Sequence, residues 1–397
     1  MLKENKIVTF FTGNRSEFGL LSSVISSVKE HPYLEYKLIV SGSHLSSEFG
    51  YTVKEVEEFG FDKLEKILSP SILKDPTDIP KAIGENVGTF AQYLSLQKTD
   101  FFVIYGDRFE TFAAAIAASQ SGIATIHLEG GDITEGGTLD DSVRHAISKL
   151  CHLHFPTNQN AHDRLLAMGE EPWRVTLAGL PSIDQLKRGR YTTWDKLKSD
   201  YRISPTLPIV LFTQHPVPSS TIKVEEQIRP SLGALIKIAK ENVQIFITYP
   251  NNDSGGDIII SEIEKLACNV PNISIIPSFG QLNYHGMLAL TKNPRIKVCI
   301  VGNSSSGIKE TPYFGVPTVD IGTRQTGRLR STNVINVGYQ QHEIYSAIKQ
   351  CLEDDKFRKV CANCENPYGD GETGKIVADV LAKLPTDQKL LRKRMTI

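Results

Sequence analysis

The sequence predicts an α/β protein made of two doubly wound, Rossmann-like domains facing a cleft. Three observations predict it. Short apolar runs alternate with stretches of helical apolar spacing, the signature of βα units. The alternation runs as one series through about residue 190 and begins again at Pro208. The loops after the runs are rich in Gly, hydroxyl residues and charge, as befits the carboxyl ends of parallel strands, where such folds bind ligands. A chain of 397 residues is long enough to bury two cores.

The first series opens with a strand over 6–11, broken at Thr12-Gly13-Asn14-Arg15-Ser16 before helical spacing at Leu20, Leu21, Val24 and Val28. A helix start offers N–H groups and a positive dipole end to a phosphate, and Arg15 adds a charge there. One Gly is weaker than a dinucleotide fingerprint. A strand over 36–40 ends at Ser41-Gly42-Ser43-His44, followed by a helix over 53–59. Residues 69–80, with three prolines, read as a loop before a helix over 82–96. The strand over 101–105 ends in Gly106-Asp107-Arg108. Asp107 there suits either chemistry or the cap of a helix over 109–119.

The chain is organised around His127 to His145, which follows a strand over 123–126 and leads into a helix over 142–150. This stretch holds five carboxylates, four glycines and a His at each end, more acid than a turn requires. It reads as a catalytic loop. Strands over 153–156 and 175–178, with a helix over 161–168 between them, complete the series. Residues 179–190 run out, and the polar stretch 191–208, with Pro205 and Pro208, marks the boundary.

The second series reads as strands over 209–213, 244–248, 273–276, 298–301 and 318–321, with helices over 224–241, 258–267, 282–291 and near 307–314. Its loops suit a phosphate. Thr213-Gln214-His215-Pro216 brings an imidazole to a strand end, and Gly302-Asn303-Ser304-Ser305-Ser306-Gly307 leaves N–H groups accessible to a pyrophosphate. Glu310 follows for ribose hydroxyls, and Gly322 to Arg328 brings Arg324 and Arg328 to the same mouth. The domains are therefore 1–190, 205–370 carrying the nucleotide, and a C-terminal helix and tail over 371–397. The last piece follows a turn-rich break, Pro367 to Gly374, that lets it cross back to the first domain.

Lys+Arg 44 against Asp+Glu 45 leaves a formal charge of -1, so no global field favours nucleic acid or an anionic membrane. The first residues carry no apolar signal region, and no apolar run approaches the roughly 18 residues that span a bilayer. A cytoplasmic protein with reduced thiols is the expectation. Cys361-Ala-Asn-Cys364 has metal-ligand spacing, yet no second pair stands at zinc-site distance. No metal is assigned. The basic tail, Lys389 to Arg394, reads as a solvated terminus.

Taken together, these motifs resemble the hydrolysing UDP-N-acetylglucosamine 2-epimerases of sialic acid and related nonulosonic acid pathways. Thr12 to Gly19, Gly106-Asp107-Arg108, Asp140-Asp141-Ser142-Val143-Arg144-His145, Gln214-His215-Pro216, Gly302 to Gly307 and Gly322-Thr323-Arg324-Gln325 match in order across nearly the whole chain. The resemblance implies the glycosyltransferase-B-like fold, a nucleotide-sugar substrate, no cofactor, and a homodimer or homotetramer. It implies Asp107, Glu129 and Asp140 as catalytic carboxylates, with His215 beside the leaving diphosphate. It implies Arg15, Asn251, Ser304, Ser305, Glu310 and Arg324 as nucleotide contacts. The implied reaction is elimination to a glycal and rehydration, giving N-acetylmannosamine and UDP. One departure is the longer spacing between Glu129 and Asp140, filled by Asp132 to Thr138, which leaves a 2,4-diacetamido-trideoxy or GDP-linked sugar open. Three rivals stand beside it. A non-hydrolysing epimerase typically carries His-Arg-Arg where this chain has His215-Pro216-Val217. A glycosyltransferase needs fewer carboxylates, and a nucleotide-sugar sensor would have lost some of them.

Overall fold

The computed structural model describes residues 5–47, 50–69, 77–133, 139–217, 220–250, 255–267 and 269–397. Asn251 and residues 134–138 of the central loop lie outside the described residues. The chain divides into two compact units, Met1–Gln185 with Tyr368–Ile397, and Leu186–Pro367.

Unit one holds strands β1 (Lys6–Thr12), β2 (Leu34–Val40), β3 (Leu64–Lys66), β4 (Phe101–Tyr105), β5 (Ala124–Leu128) and β6 (Leu153–Phe155). They form a parallel sheet in the order β3-β2-β1-β4-β5-β6. Unit two repeats the plan with β7 (Ile209–Thr213), β8 (Gln244–Thr248), β9 (Ile273–Ile276), β10 (Val298–Gly302), β11 (Thr318–Ile321) and β12 (Val334–Val337). Its order is β12-β11-β10-β7-β8-β9, also parallel. Counted from each unit's first strand, both sheets follow the doubly wound order 3-2-1-4-5-6. The order reverses between β1 and β4 in one unit and between β7 and β10 in the other. Loops after these four strands stand where such folds bind ligands.

The central strands are continuous apolar runs because helices cover both faces of a parallel sheet. Val8, Phe10, Val103 and Ile126 face one layer of unit one's core, and Phe11, Phe102 and Ile104 the other. In unit two Val210, Phe212 and Val301 face one layer, and Leu211, Phe246 and Ile300 the other.

Several elements depart from the sequence reading. The helix Asp78–Ser95 begins inside the stretch read as loop, with Pro80 in its first turn, where a missing N–H costs nothing. Residues 175–178 form no strand; Val175 makes a single bridge to His154 before the chain turns through Gly179. Helices Pro181–Lys187 and Trp194–Tyr201 occupy stretches read as irregular. Strands β3 and β12 are sheet edges with few buried side chains, so their apolar signal is weak.

The basic tail is docked rather than solvated. Arg174, only 1% exposed, donates to the carbonyls of Leu390 (2.7 Å), Lys389 (3.1 Å) and Arg392 (3.2 Å). Leu390 enters the core of unit one beside the helix Thr373–Lys383, whose first turn donates two backbone N–H groups to Asp184. No helix among the described residues is long and apolar enough to cross a membrane.

Candidate active site

Asp107 follows β4 after Gly106, whose positive φ makes the turn. It does not cap the next helix; Arg108 holds that position without a side-chain bond. Instead its carboxylate accepts from Nη2 of Arg144, whose Nη1 lies 3.3 Å from Asp141. Burial raises the Asp107 pKa above its ordinary value, Arg144 pulls it down, and Glu129 and Asp140 push it up again.

Glu129 sits at φ +64, a left-handed conformation that a non-glycine residue adopts at a cost. It follows β5 and couples to the buried Tyr105 as well as to Asp107 and Arg144. Asp140 lies exposed in the first turn of the helix Leu139–Leu150. That helix starts three residues before the expected 142, and the shift matters. Asp141, Arg144 and Ser148 then share its buried face. Thus Asp107 and Glu129 couple to one buried guanidinium that sequence reasoning did not assign, and Asp140 couples to Asp107.

A second unassigned residue supports the turn from behind. His127 is fully buried, and burial lowers its pKa to about 3, so it is neutral. Its Nε2 lies 2.8 Å from the Gly106 carbonyl and must donate to it. Nδ1 then accepts from the Ser148 hydroxyl at 3.0 Å. A Cβ at Gly130 would fall 2.9 Å from that Nδ1, so only glycine leaves the imidazole room.

The turn after β1 differs from the reading as an open phosphate site. Asn14 caps the helix Arg15–Glu30, and the Gly13 N–H donates to Glu17 at 2.9 Å. Arg15, with a side chain 56% exposed, pairs with Glu55 at 2.8 Å. Glu17 is buried beside Glu110, and burial first, then Glu110, raises its pKa to about 7. The folded state therefore keeps a proton that the unfolded chain releases near its ordinary 4.5. This group makes stability fall as pH rises from about 4.5 to about 7, by on the order of 3 kcal/mol. Urea unfolding at pH 5 and pH 8 should show that fall flattened in Glu17→Gln, which cannot ionise.

In unit two the loops after β7 and β10 are tied together by Asn303. Its Oδ1 accepts from the His215 N–H at 2.7 Å, and its Nδ2 donates to the His215 carbonyl at 2.9 Å. Gly302, at φ +132, permits the close approach, since a Cβ there would fall 1.8 Å from the Thr213 carbonyl oxygen. The Asn303 carbonyl accepts from Gln325 at 2.7 Å and from Arg324 at 3.4 Å. One asparagine thus holds the His215 loop and the Arg324 loop. Ser304 and Ser305 precede a single-turn helix, Ser306–Lys309, and Glu310 stands at its C-terminal end. Glu310 lies 3.3 Å from the buried His285. Asn303 escaped notice because its partner is 88 positions away in sequence.

Two doubly wound units, with charged and amide-bearing side chains at both switch points, define an α/β protein of the glycosyltransferase-B-like class. More particularly, the chain belongs to the UDP-N-acetylglucosamine 2-epimerase family, whose profile matches residues 26–382. It is 31% identical over 386 residues to the hydrolysing UDP-N,N'-diacetylbacillosamine 2-epimerase of Legionella pneumophila, spanning 97% of this chain and 98% of that one. It is 32% identical to a UDP-N-acetylglucosamine 2-epimerase of Neisseria meningitidis serogroup B, spanning 93% and 92%. The crystal structure of UDP-GlcNAc 2-epimerase from Neisseria meningitidis bound to UDP-GlcNAc shares the fold, with a TM-score of 0.75 at 22% identity, 96% of this chain and 100% of that one being covered.

Proposed function

We propose that this protein is a hydrolysing 2-epimerase. It converts UDP-N-acetylglucosamine, or a closely related nucleotide N-acetylamino sugar, and water into the free 2-epimer and UDP, and so supplies nonulosonic acid synthesis. The observation that carries the reading is the coupling of Asp107 to Arg144, Glu129 and Asp140 at the end of β4. The chemistry needs such a group. A base removes the weakly acidic C2–H as the C1–O bond to the diphosphate breaks, leaving a glycal and UDP. Water then adds at C1, and a proton returns to C2 from the opposite face. Asp107, Glu129 and Asp140 share these proton transfers, and Arg144 holds the charge of Asp107 in place.

On the leaving-group side we assign His215 and the Ser304-Ser305 turn to the diphosphate, with Arg324, Glu310 and Asn251 completing the nucleotide contacts. Cationic and N–H donors stabilise a departing phosphate. Pro216-Val217 after the histidine supports hydrolysis over return of the nucleotide. A second sugar has its own support: the Legionella relative is a UDP-N,N'-diacetylbacillosamine 2-epimerase and aligns over 97% of this chain.

The test is incubation with each UDP-sugar in D₂O, followed by proton and phosphorus NMR. Free 2-epimer deuterated at C2, together with UDP, is the expected outcome. A UDP-linked 2-epimer would instead identify a non-hydrolysing enzyme, and intact substrate with a folded, UDP-binding protein would remove both sugars.

A further inference from the structure

The C-terminal tail ends on the helix that carries the acid cluster. Lys393 Nζ lies 2.8 Å from the Cys151 carbonyl, 3.1 Å from the Ser148 carbonyl and 2.9 Å from Glu170. These two carbonyls belong to the end of the helix Leu139–Leu150, where backbone oxygens lack helical partners and a cation is favoured. Glu170 is fully buried and also accepts from Lys149 at 2.7 Å and faces His154 at 3.0 Å. Its carboxyl is held down to about 2 by His154 and the two lysines against the opposing effect of burial, so it remains an anion that fixes Lys393. The tail cannot slide, because Arg174 grips the carbonyls of 389, 390 and 392 and the Thr396 N–H donates to the Gly169 carbonyl at 3.1 Å.

A continuous path leads from this cap to the reacting group. Lys393 holds the Ser148 backbone; the Ser148 hydroxyl meets His127 Nδ1; His127 Nε2 holds the Gly106 carbonyl; and Asp107 is the next residue. One turn before Ser148, the same helix presents Arg144 to Asp107.

We propose that Lys393 is a positioning residue for Asp107: the tail locks the far end of the helix Leu139–Leu150 and so sets both the Arg144 pair and the His127 support of the Gly106 turn. The kinetic part rests on the 2-epimerase reading. A misplacement of about 1 Å at reacting groups can cost up to a hundredfold in rate.

Three variants test it. Lys393→Met removes the charge at similar length, and Lys393→Arg restores a cation. Lys6→Met is the control, because Lys6 Nζ caps another helix of the same unit, donating to the Ala382 carbonyl at 2.8 Å. With thermal midpoints measured for all, Lys393→Met should lower kcat about tenfold with KM within about twofold. It should also speed hydrogen exchange of the 139–150 amides, while Lys393→Arg recovers most of kcat. Lys6→Met should match wild type in kcat and in that exchange. Wild-type kcat and exchange in Lys393→Met, or an equal kcat loss in Lys6→Met, would overturn the assignment. Should Lys393→Met not fold, Lys393→Gln takes its place in the same comparison. If wild type turns over neither sugar, the epimerase reading fails by itself, and helix exchange alone decides: faster only in the Lys393 variant supports the lock, unchanged overturns it.

Discussion

Asp107→Asn should lower kcat by roughly 10²–10⁴, the contribution of a positioned general acid–base group. The substitution is chosen to leave the fold alone. Asn keeps an oxygen for Nη2 of Arg144 and the same shape in a largely buried site. What it loses is the capacity to take a proton. Burial raises the carboxyl's pKa and Glu129 and Asp140 push it up further, while Arg144 pulls it down. Two readouts separate this role from mere binding. KM should change little, and deuterium entry at C2 of any remaining product should slow with turnover. Asp140→Asn should show a loss within the same range, although Asp140 is exposed and acts from the helix's first turn. Near wild-type turnover in either variant removes that residue from the proton transfers.

The parts of this site that were legible in sequence are those set by local patterns. β4, β7, β8 and β11 begin and end where their apolar runs do, because a strand covered on both faces needs an unbroken run. The residues at their ends could therefore be placed on loops at ligand-binding positions. Arg144 was not legible, because Leu139-Asp140-Asp141 reads as polar loop and hides the helix start. Without that start the phase linking Asp141, Arg144 and Ser148 is lost. Asn303 and Lys393 were hidden by distance. Nothing local tells an amide that it will clamp a loop 88 positions away, or tells a basic tail that a buried carboxylate awaits it 223 positions back. Composition favours solvation for such a tail, and only tertiary packing around Arg174 and Glu170 reverses that preference.

Arg144 carries the other large expected effect. It is buried, and it neutralises Asp107 and Asp141 directly while Glu129 and Asp132 lie within its field. Arg144→Met fills most of the space but leaves those acids without their cation. Breaking a buried pair from one side costs roughly 3–5 kcal/mol, because the surviving charge stays desolvated. The pH dependence follows from sign. Arg144 lowers the Asp107 pKa, so its loss raises that pKa further above the unfolded value. The variant's folded state then binds the proton still more tightly than wild type does, and stability relative to wild type is lost as pH rises above the wild-type folded pKa of Asp107. Urea unfolding should thus show a deficit that grows as pH rises and is smaller in acid, where Asp107 is protonated. A deficit that stays constant with pH would mean that lost packing, not lost charge, is responsible. Arg144→Lys should fall between the two, since one ammonium cannot hold Asp107 and Asp141 with the fork of a guanidinium. In activity, the acidic limb of kcat/KM should move upward in Arg144→Met, because a more tightly held proton keeps the base out of use until higher pH.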